Sequence, residues 1–311
     1  MIMEKISSAI VTGATSMLGA ALIKRLVQEN IHVYAVCRAS SARWGSIGKH
    51  PLVHIVKCDL QNMEALPEKI GASCDAFFHF AWLGTEEPKN RLNVHLQADN
   101  IRFSATAVDA AHALGCKVFV GAGSQAEYGH VEGVIRPDSP VNPVSAYGMA
   151  KLCTGQMTRL QCSQYGIRHI WPRIISTYGP NSRVVTLIDV VVQKLLAGER
   201  PALTAGEQIW DYLYVSDAVD AFYRMACAGR DGAVYVLGSG KTKRLREFME
   251  IIRDAIDPEL PLGIGEIPYY PDQAMHLEAD ITTLTQDTGW QPQVEFRDGI
   301  AEILKNYRMP H

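Results

Sequence analysis

Short apolar runs rich in β-branched residues alternate with longer stretches of helical periodicity through the first half of the chain. The runs predict strands at 8–12, 31–37, 52–58, 74–81, 116–123 and 167–175. Between them, helical patterns lie at about 18–29, 61–70, 93–114 and 145–165. Continuous apolar strands that alternate with helices are typical of a parallel sheet covered on both faces. We therefore predict an α/β fold with a doubly wound parallel sheet, whose site lies at the carboxyl ends of the strands.

The regular alternation of strand and helix patterns weakens after about residue 176. A helical pattern at 184–197 is followed by Gly- and Pro-rich punctuation, and then by a strand-plus-helix unit at 211–226 and a strand at 233–238. We predict a main domain formed by residues 1–175 plus 211–238, and a smaller C-terminal lobe formed by residues 176–210 plus 239–311. Asp217 is expected to cap the helix at 218–228.

Composition and charge exclude several classes of protein. Hydrophobic residues make up 47% and charged residues 20%, which is typical of a globular chain. The net charge of −3 gives no basic excess that would favour nucleic acid or an anionic membrane as a partner. The seven cysteines form no CxxC pair and suit reduced thiols, and the histidines lack metal-ligand spacing. No apolar stretch predicts a signal peptide or a membrane span, so a cytoplasmic protein is expected.

The segment TGATSMLG at 12–19 joins the first predicted strand to the first predicted helix. Gly13 and Gly19 keep the two positions where a side chain would most obstruct turning or helix–sheet packing. Ser16 replaces a middle glycine, and its hydroxyl can cap the helix or donate to a phosphate. A glycine-rich turn at a helix N-terminus binds pyrophosphate through free backbone N–H groups. The strand–turn–helix context favours a dinucleotide site over an ordinary turn.

The second predicted strand ends in YAVCRASSAR, without the carboxylate that usually meets a free ribose 2′-OH. Arg38, Ser40 and Ser41 instead offer donors suited to a 2′-phosphate. We therefore expect NADP(H) as the cofactor, with NAD(H) as the alternative. Asp59 and Leu60 follow the third strand, where an adenine contact is expected.

Three residues predict the chemistry. Tyr147 and Lys151 in SAYGMAK are four apart and share a helix face. An ammonium beside a phenol is expected to lower the pKa of that phenol. Such a tyrosine can exchange a proton with a substrate oxygen while a nicotinamide exchanges hydride. Ser124 follows the strand at 116–123 and can donate a hydrogen bond to the same oxygen.

These motifs resemble those of the extended short-chain dehydrogenase/reductase family, also called NAD-dependent epimerase/dehydratases. The resemblance spans nearly the whole chain, in the segments TGATSMLG, HFA (79–81), GSQAEYG (123–129), SAYGMAK (145–151), PRIISTYGP (172–180), WDYLYVSDAV (210–219) and DTGWQP (287–292). It implies a dinucleotide-binding main domain, a substrate-binding C-terminal lobe, and a homodimer formed through the helices at 93–114 and 145–165. It also implies further cofactor contacts at Met17, Leu18, Phe80, Ala81, Tyr147 and Lys151. Asn100 is implied as a further catalytic residue.

Departures from the family pattern narrow the reaction. Family 4,6-dehydratases carry an Asp–Glu pair after the catalytic Ser/Thr, where this chain has Gln125 and Ala126. The resemblance therefore favours redox at one carbon, as in a ketoreductase or a 4-epimerase. We expect reduction of a 4-keto nucleotide-diphosphate sugar, because Arg38 favours NADPH. A 4-epimerase with retained NAD is the alternative.

The residues expected to bind the substrate also depart from the family pattern. Two arginines that often bind the diphosphate in the family are replaced here by Trp210 and Tyr270. Gln125, Arg183, Trp210 and Tyr270 are the predicted substrate contacts. A substrate without a diphosphate, such as a small ketone or aldehyde, is a further alternative. A noncatalytic NADP-binding regulator is another, although Ser124, Tyr147 and Lys151 are all present.

Overall fold

A computed structural model describes residues 5–85, 87–180, 182, 185–271 and 273–308, without the side chains of Trp44, Ser46 and Arg308. Its strands are β1 (Ser8–Thr12), β2 (His32–Cys37), β3 (Val53–Lys57), β4 (Ala76–His79), β5 (Val118–Gly121), β6 (Gly123–Ser124), β7 (Val134–Ile135), β8 (Arg168–Ile174), β9 (Thr177–Tyr178), β10 (Ile209–Asp211), β11 (Leu213–Tyr214), β12 (Ala233–Leu237), β13 (Thr242–Arg244) and β14 (Glu278–Ala279). Its α-helices are α1 (Met17–Gln28), α2 (Leu66–Ile70), α3 (Val94–Ala113), α4 (Ala146–Tyr165), α5 (Leu187–Leu196), α6 (Val215–Ala228), α7 (Leu245–Ile256), α8 (Thr282–Thr288) and α9 (Phe296–Arg308). Short 3₁₀ helices span Trp44–Ile47, Leu60–Ala65, Pro88–Leu92 and Gln125–Glu127.

The central sheet is parallel, with the strand order β3–β2–β1–β4–β5–β8–β12, and β6 pairs with β8 beside this path. The chain runs outward from β1 to β3 and then returns to place β4 on the other side of β1. The strand order therefore reverses between β1 and β4. In open α/β sheets, ligands bind outside the carboxyl ends of the strands at such a reversal. The predicted doubly wound α/β fold is confirmed.

Helices cover both faces of this sheet. Successive strand residues point to opposite faces, so Phe78 of β4 packs with Leu22 of α1 and Phe222 of α6. Its neighbour Phe77 packs on the other face with Phe103 of α3. Burial of each such side chain contributes about 1.5–3 kcal/mol of transfer free energy. The two apolar layers hold the carboxyl edge of the sheet in a fixed position.

A third apolar cluster joins α5, α7 and α9 through residues such as Val192, Phe248 and Ile300. Trp290 lies in the same C-terminal stretch of the chain but packs in the cluster that contains α1 and α6. Its indole nitrogen donates to the carbonyl of Asp217 at 3.1 Å. The division of the chain into two units at the boundaries given above stays a prediction.

Two local expectations need correction. The segment predicted as one helix at 61–70 forms a 3₁₀ helix followed by α2, and Asn62 inside the 3₁₀ helix has φ −122° and ψ 33°, outside the helical region. Helix α6 begins at Val215, so Asp217 lies inside its first turn and does not cap it. The Asp217 carboxylate instead accepts from the backbone N–H groups of Gln293 and Val294 at 2.9 and 2.8 Å. It therefore fastens the C-terminal stretch to α6.

Among the helices of the described residues, none combines the length and the apolar character that crossing a membrane requires.

Candidate active site

The glycine-rich turn depends on two positions without side chains. Gly13 has φ +67°, and a Cβ there would lie 2.9 Å from backbone atoms of Phe80 and Ala81. A Cβ on Gly19 would overlap the carbonyl oxygen of Gly13. Ser16 caps α1, because its hydroxyl oxygen accepts from the N–H of Gly19 at 3.0 Å. The turn can therefore bring backbone N–H groups close to an anionic ligand at the start of α1.

A cleft of about 310 Å³ lies at the carboxyl ends of β1, β2 and β3. Of the predicted cofactor contacts, it is lined by Gly13, Ser16, Arg38, Leu60, Phe80 and Ala81. The other predicted contacts that the structure describes are outside its lining, namely Met17, Leu18, Gly19, Ser40, Ser41, Asp59, Tyr147 and Lys151. Several further residues line the cleft that were not predicted from sequence, among them Thr12, Thr15, Met63 and Trp82. The lining joins the glycine-rich turn, a cation at the end of β2 and apolar side chains such as Leu60, which are groups that a dinucleotide would contact.

The end of β2 combines an exposed cation with a nearby carboxylate. Arg38 and Ser40 are exposed, whereas Ser41 is buried and its hydroxyl accepts from the N–H of Arg43 at 3.4 Å. Asp59, at the end of β3, accepts from the N–H of Ala39 at 3.3 Å. The side chain of Asp59 therefore also fastens the backbone directly after β2.

Ser124 and Tyr147 meet at the carboxyl edge of the sheet. Ser124 ends β6, and Tyr147 lies in the first turn of α4, which is capped by Ser145. A hydrogen bond between the two hydroxyl groups lowers the pKa of Tyr147, but burial has the larger effect and raises that pKa above its ordinary value. The lowered pKa expected for Tyr147 from sequence is therefore wrong for this arrangement. The phenol of Tyr147 is therefore protonated at neutral pH.

Lys151 lies one turn further along α4 and is 5% exposed. Its ammonium donates to the carbonyl of Ala122 at 2.8 Å and lies 3.5 Å from the ring centroid of Trp82. The same nitrogen is 5.8 Å from the ring centroid of Tyr147. Burial lowers the pKa of Lys151 to about 7, although the charge of Glu127 opposes this. The lysine therefore loses its charge near neutral pH.

A buried ion pair supports the strand that carries Ser124. Glu127 is fully buried and accepts from Arg173 Nε at 2.7 Å, from Trp171 Nε1 at 3.0 Å and from the N–H of Ser124 at 2.9 Å. The Trp171 indole in turn fills space beside three glycines, where an added Cβ would overlap or crowd it, namely Gly121, Gly123 and Gly155. The role of Glu127 could not be predicted from sequence, because its side-chain partners Trp171 and Arg173 come from strand β8.

Two amides of α3 hold the segment that follows β4. Asn100 is 1% exposed, and its side chain accepts from the N–H of Leu83 at 2.8 Å and donates to the carbonyl of Leu83 at 3.0 Å. Gln97 accepts from Trp82 Nε1 at 2.9 Å and donates to the carbonyl of Asn90 at 2.9 Å. These hydrogen bonds fix the course of the chain beside Trp82, and the catalytic role of Asn100 stays a prediction.

The predicted substrate contacts are dispersed. Gln125 begins the 3₁₀ helix directly after Ser124 and is half-buried. Trp210 of β10 donates to the hydroxyl of Ser176 at 3.3 Å, and Tyr270 is 73% exposed. Arg183 lies outside the described residues. Gln125 directly follows Ser124 in the chain, whereas Trp210 contacts the segment after β8.

Comparison with known proteins agrees with this geometry. The profile of the NAD dependent epimerase/dehydratase family matches residues 9–238, from β1 to the residue after β12. The match includes the glycine-rich turn, Ser124, Tyr147 and Lys151. The chain belongs to the NAD dependent epimerase/dehydratase family.

Two characterised relatives illustrate the range of reactions. The dTDP-glucose 4,6-dehydratase of Xanthomonas campestris is 29% identical over 178 residues, which is 54% of this chain and 51% of that protein. The match thus spans about half the length of such relatives. The UDP-glucose 4-epimerase of Azospirillum brasilense is 28% identical over 315 residues, which is 94% of this chain and 89% of that protein.

Two solved structures share the fold across almost the whole chain. The UDP-N-acetylglucosamine 4-epimerase from Methanobrevibacter ruminantium, in complex with UDP-N-acetylmuramic acid, has a TM-score of 0.85 at 21% identity and covers 97% of this chain and 100% of its own. The dTDP-glucose 4,6-dehydratase from Streptomyces venezuelae, with NAD bound, has a TM-score of 0.84 at 21% identity and covers 97% of each chain. At these identities the likeness establishes the fold alone.

Proposed function

We propose that this enzyme carries out redox chemistry at one carbon of a nucleotide-diphosphate sugar, with reduction of a 4-keto group by NADPH as its net reaction. The proposal rests on the hydrogen-bonded pair of Ser124 and Tyr147 beside Lys151. Gln125 and Ala126 directly follow Ser124 in the chain. Neither Gln125 nor Ala126 can transfer protons, so elimination of water, as in a 4,6-dehydratase, lacks its acid and base. The relatives named above act on nucleotide sugars, which supports this class of substrate.

The residues of the chain divide the work of reduction between them. When bound, the nicotinamide supplies hydride to the carbonyl carbon. Ser124 donates a hydrogen bond to the carbonyl oxygen as negative charge develops there. Tyr147 delivers its proton to the same oxygen, which leaves a phenolate. The nearby ammonium of Lys151, when charged, stabilises that phenolate.

The cleft supplies the cofactor-binding groups. Gly13 and Ser16 would face the pyrophosphate at the start of α1, and Leu60 would contact the adenine. Arg38 is the exposed cation of the cleft and suits a 2′-phosphate. Ser40 and Ser41 follow it, and Ser41 already accepts a backbone hydrogen bond. NADP(H) therefore remains our proposed cofactor.

A 4-epimerase with firmly retained NAD is the second candidate. The Azospirillum 4-epimerase aligns over nearly the full chain, and the solved Streptomyces structure binds NAD. Asp59 also places a carboxylate next to the end of β2, where NAD-dependent proteins use one. An epimerase needs the same Ser–Tyr–Lys centre, because it oxidises and reduces one carbon in turn.

The deciding experiment determines which nucleotide the purified protein binds and how firmly it is retained. Freshly purified protein is denatured, any released nucleotide is identified, and the nucleotide-free protein is titrated with NADPH and NADH. Readily exchanging NADPH, together with NADPH consumption on 4-keto nucleotide sugars, supports the reductase. Firmly held NAD, together with sugar isomerisation in the absence of added reductant, contradicts the reductase and supports the 4-epimerase. Tyr147→Phe should abolish turnover in either case, whereas Tyr165→Phe on the exposed side of α4 should not.

We also infer a homodimer formed through α3 and α4, and α4 carries the apolar surface that supports this inference. Three large apolar side chains at helical spacing are exposed on this helix, Met149 by 54%, Met157 by 50% and Leu160 by 63%. A face of this kind is typical of a protein–protein contact. Leu160→Glu should yield a monomer in sedimentation experiments, whereas Leu196→Glu on α5 should leave the assembly unchanged.

A further inference from the structure

A second cation lies against the phenol of Tyr147. The guanidinium carbon of Arg91 is 4.4 Å from the ring centroid of Tyr147. This distance is within the range of a cation–π interaction. Arg91 reaches the ring from the 3₁₀ helix Pro88–Leu92, not from the helix that carries Tyr147. The sequence motifs give no sign of this contact.

The backbone around Arg91 is held by buried groups. Gln97, which is 2% exposed, donates to the carbonyl of the preceding residue, Asn90, at 2.9 Å. Asn100 holds the start of the same segment through both backbone groups of Leu83. The position of Arg91 is therefore fixed from α3, although its side chain is exposed.

The two cations near Tyr147 differ in their contacts and in the pH range over which they stay charged. The Lys151 ammonium is engaged by the carbonyl of Ala122 and by the ring of Trp82. Its pKa of about 7 means that it is largely neutral on the alkaline side of neutrality. A guanidinium keeps its charge throughout the working range of pH. Arg91 is therefore the neighbour of Tyr147 whose charge persists when Lys151 has lost its proton.

We propose that Arg91 is a positioning residue of the active site, whose fixed positive charge stabilises the phenolate that Tyr147 forms on giving up its proton. This inference rests on the proposed role of Tyr147 as the proton carrier. It assigns to the segment after β4 an electrostatic function in addition to its place beside the cleft.

The groups around the phenol act in opposite directions. Arg91, on the 3₁₀ helix Pro88–Leu92, and the hydroxyl of Ser124 both lower the pKa of Tyr147. Burial and the charge of Glu127, which lies on the 3₁₀ helix after β6, raise that pKa. Lys151 lies on α4 itself and contributes only while it is protonated. Removal of Arg91 therefore leaves the phenol facing burial and a carboxylate, with one hydroxyl as a compensating partner.

The test is a titration of the phenol itself. 3-Chlorotyrosine is placed at position 147, because its phenol ionises at lower pH than that of tyrosine and can be titrated before the protein unfolds. The absorbance of the phenolate is then followed against pH in four proteins, with Arg91 intact, with Arg91→Met, with Arg91→Lys and with Arg102→Met. Arg102 is the matched control, since its guanidinium lies 4.5 Å from the ring centroid of Phe103 on α3.

We expect Arg91→Met to raise the pKa of this phenol by about one unit, so that about tenfold less phenolate is present at a given pH. Arg91→Lys should retain most of the effect, and Arg102→Met should change nothing. An unchanged titration in Arg91→Met overturns the proposal, as does an equal shift in Arg102→Met. The titration needs no substrate and no turnover, so it is decided separately from the proposed reaction. If the enzyme proves inactive on nucleotide sugars but the shift is found, only the proposed function fails.

Discussion

The glycine-rich turn at residues 12–19 and the Ser124–Tyr147–Lys151 centre lie on the same edge of the sheet but are built by different means. In the turn, backbone segments approach closely because Gly13 and Gly19 have no side chains. In the centre, a buried ammonium and a buried carboxylate are held by specific hydrogen bonds. The turn should therefore respond to added volume and ignore pH, whereas the centre should respond to charge and pH.

Removing the buried carboxylate is the largest expected effect. Glu127→Gln leaves the guanidinium of Arg173 buried without its counter-charge, and breaking a buried pair in this way costs about 3–5 kcal/mol. Chemical denaturation at pH 7 measures the loss. Glu132→Gln, at an exposed glutamate five residues further on, should be neutral. Equal stability of the Glu127→Gln and Glu132→Gln variants would contradict the assignment of buried charge to the centre.

Lys151→Met should stabilise the protein in a manner that depends on pH. The pKa of Lys151 falls from 10.5 to about 7 on folding. Between these values the unfolded chain binds a proton that the folded chain does not, so this lysine makes stability rise with pH. Below pH 7 both states carry the charge, and its full burial penalty remains. Removal of the amine should therefore raise the free energy of unfolding by on the order of 3 kcal/mol at pH 6.

The same gain should disappear above about pH 11, where the folded and unfolded amines are both neutral. Denaturation curves collected from about pH 6 to about pH 11 give the difference between Lys151→Met and the parent protein. Lys117→Met, at an exposed lysine, should follow the parent across the range. A pH-independent difference for Lys151→Met would mean that the buried charge is not the source of the effect.

Gly19→Ala tests the turn by adding one methyl group. The new Cβ would overlap the carbonyl oxygen of Gly13, so backbone must shift, at a cost of about 2–3 kcal/mol. Dinucleotide affinity should fall as well, and the loss of stability should be the same at pH 6 and pH 9. Gly45→Ala is the control, because a Cβ at Gly45 meets nothing within 4 Å. Normal binding by Gly19→Ala would show that the turn tolerates volume after all.

The smallest effect is expected from the cap of α1. Ser16→Ala removes the hydroxyl that accepts from the N–H of Gly19, which costs about 1 kcal/mol. Ser145→Ala removes the corresponding cap of α4 and should cost about the same. Only Ser16→Ala should also weaken dinucleotide binding, measured by fluorescence titration, because Ser16 lines the cleft. Equal binding by both variants would place the ligand away from the turn.

Much of the fold could be predicted from local pattern. Strands of continuous apolar residues and the helix around Tyr147 were located to within one or two residues at most ends, since each depends on periodicity and flanking glycines. The start of α6 was missed because Asp217 resembles a cap in sequence. Its actual partners, Gln293 and Val294, are more than 70 residues away along the chain. Short pairings such as β10–β13 depend on similar long-range contacts and left no periodic signal.

The site shows the same limit. Ser124, Tyr147 and Lys151 were found because their spacing follows a helix and a strand end. The pKa of Tyr147 was expected in the wrong direction, since spacing gives proximity but does not give burial. The contacts of Arg91, Trp82 and Glu127 were invisible because each crosses between elements. The hydrogen bonds of Asn100 with Leu83 could not be predicted either, because they join α3 to the segment after β4.

The packing of Trp171 has a consequence for how this chain can change over time. An added Cβ at Gly121, Gly123 or Gly155 would strike or crowd its indole, so none of these positions can acquire a side chain while the indole remains. A smaller residue at position 171 would leave a cavity and remove the indole N–H that donates to Glu127. Substitutions at these three glycines and at position 171 should therefore occur together. Among related chains, alanine or larger residues at these glycines should occur where position 171 has become small.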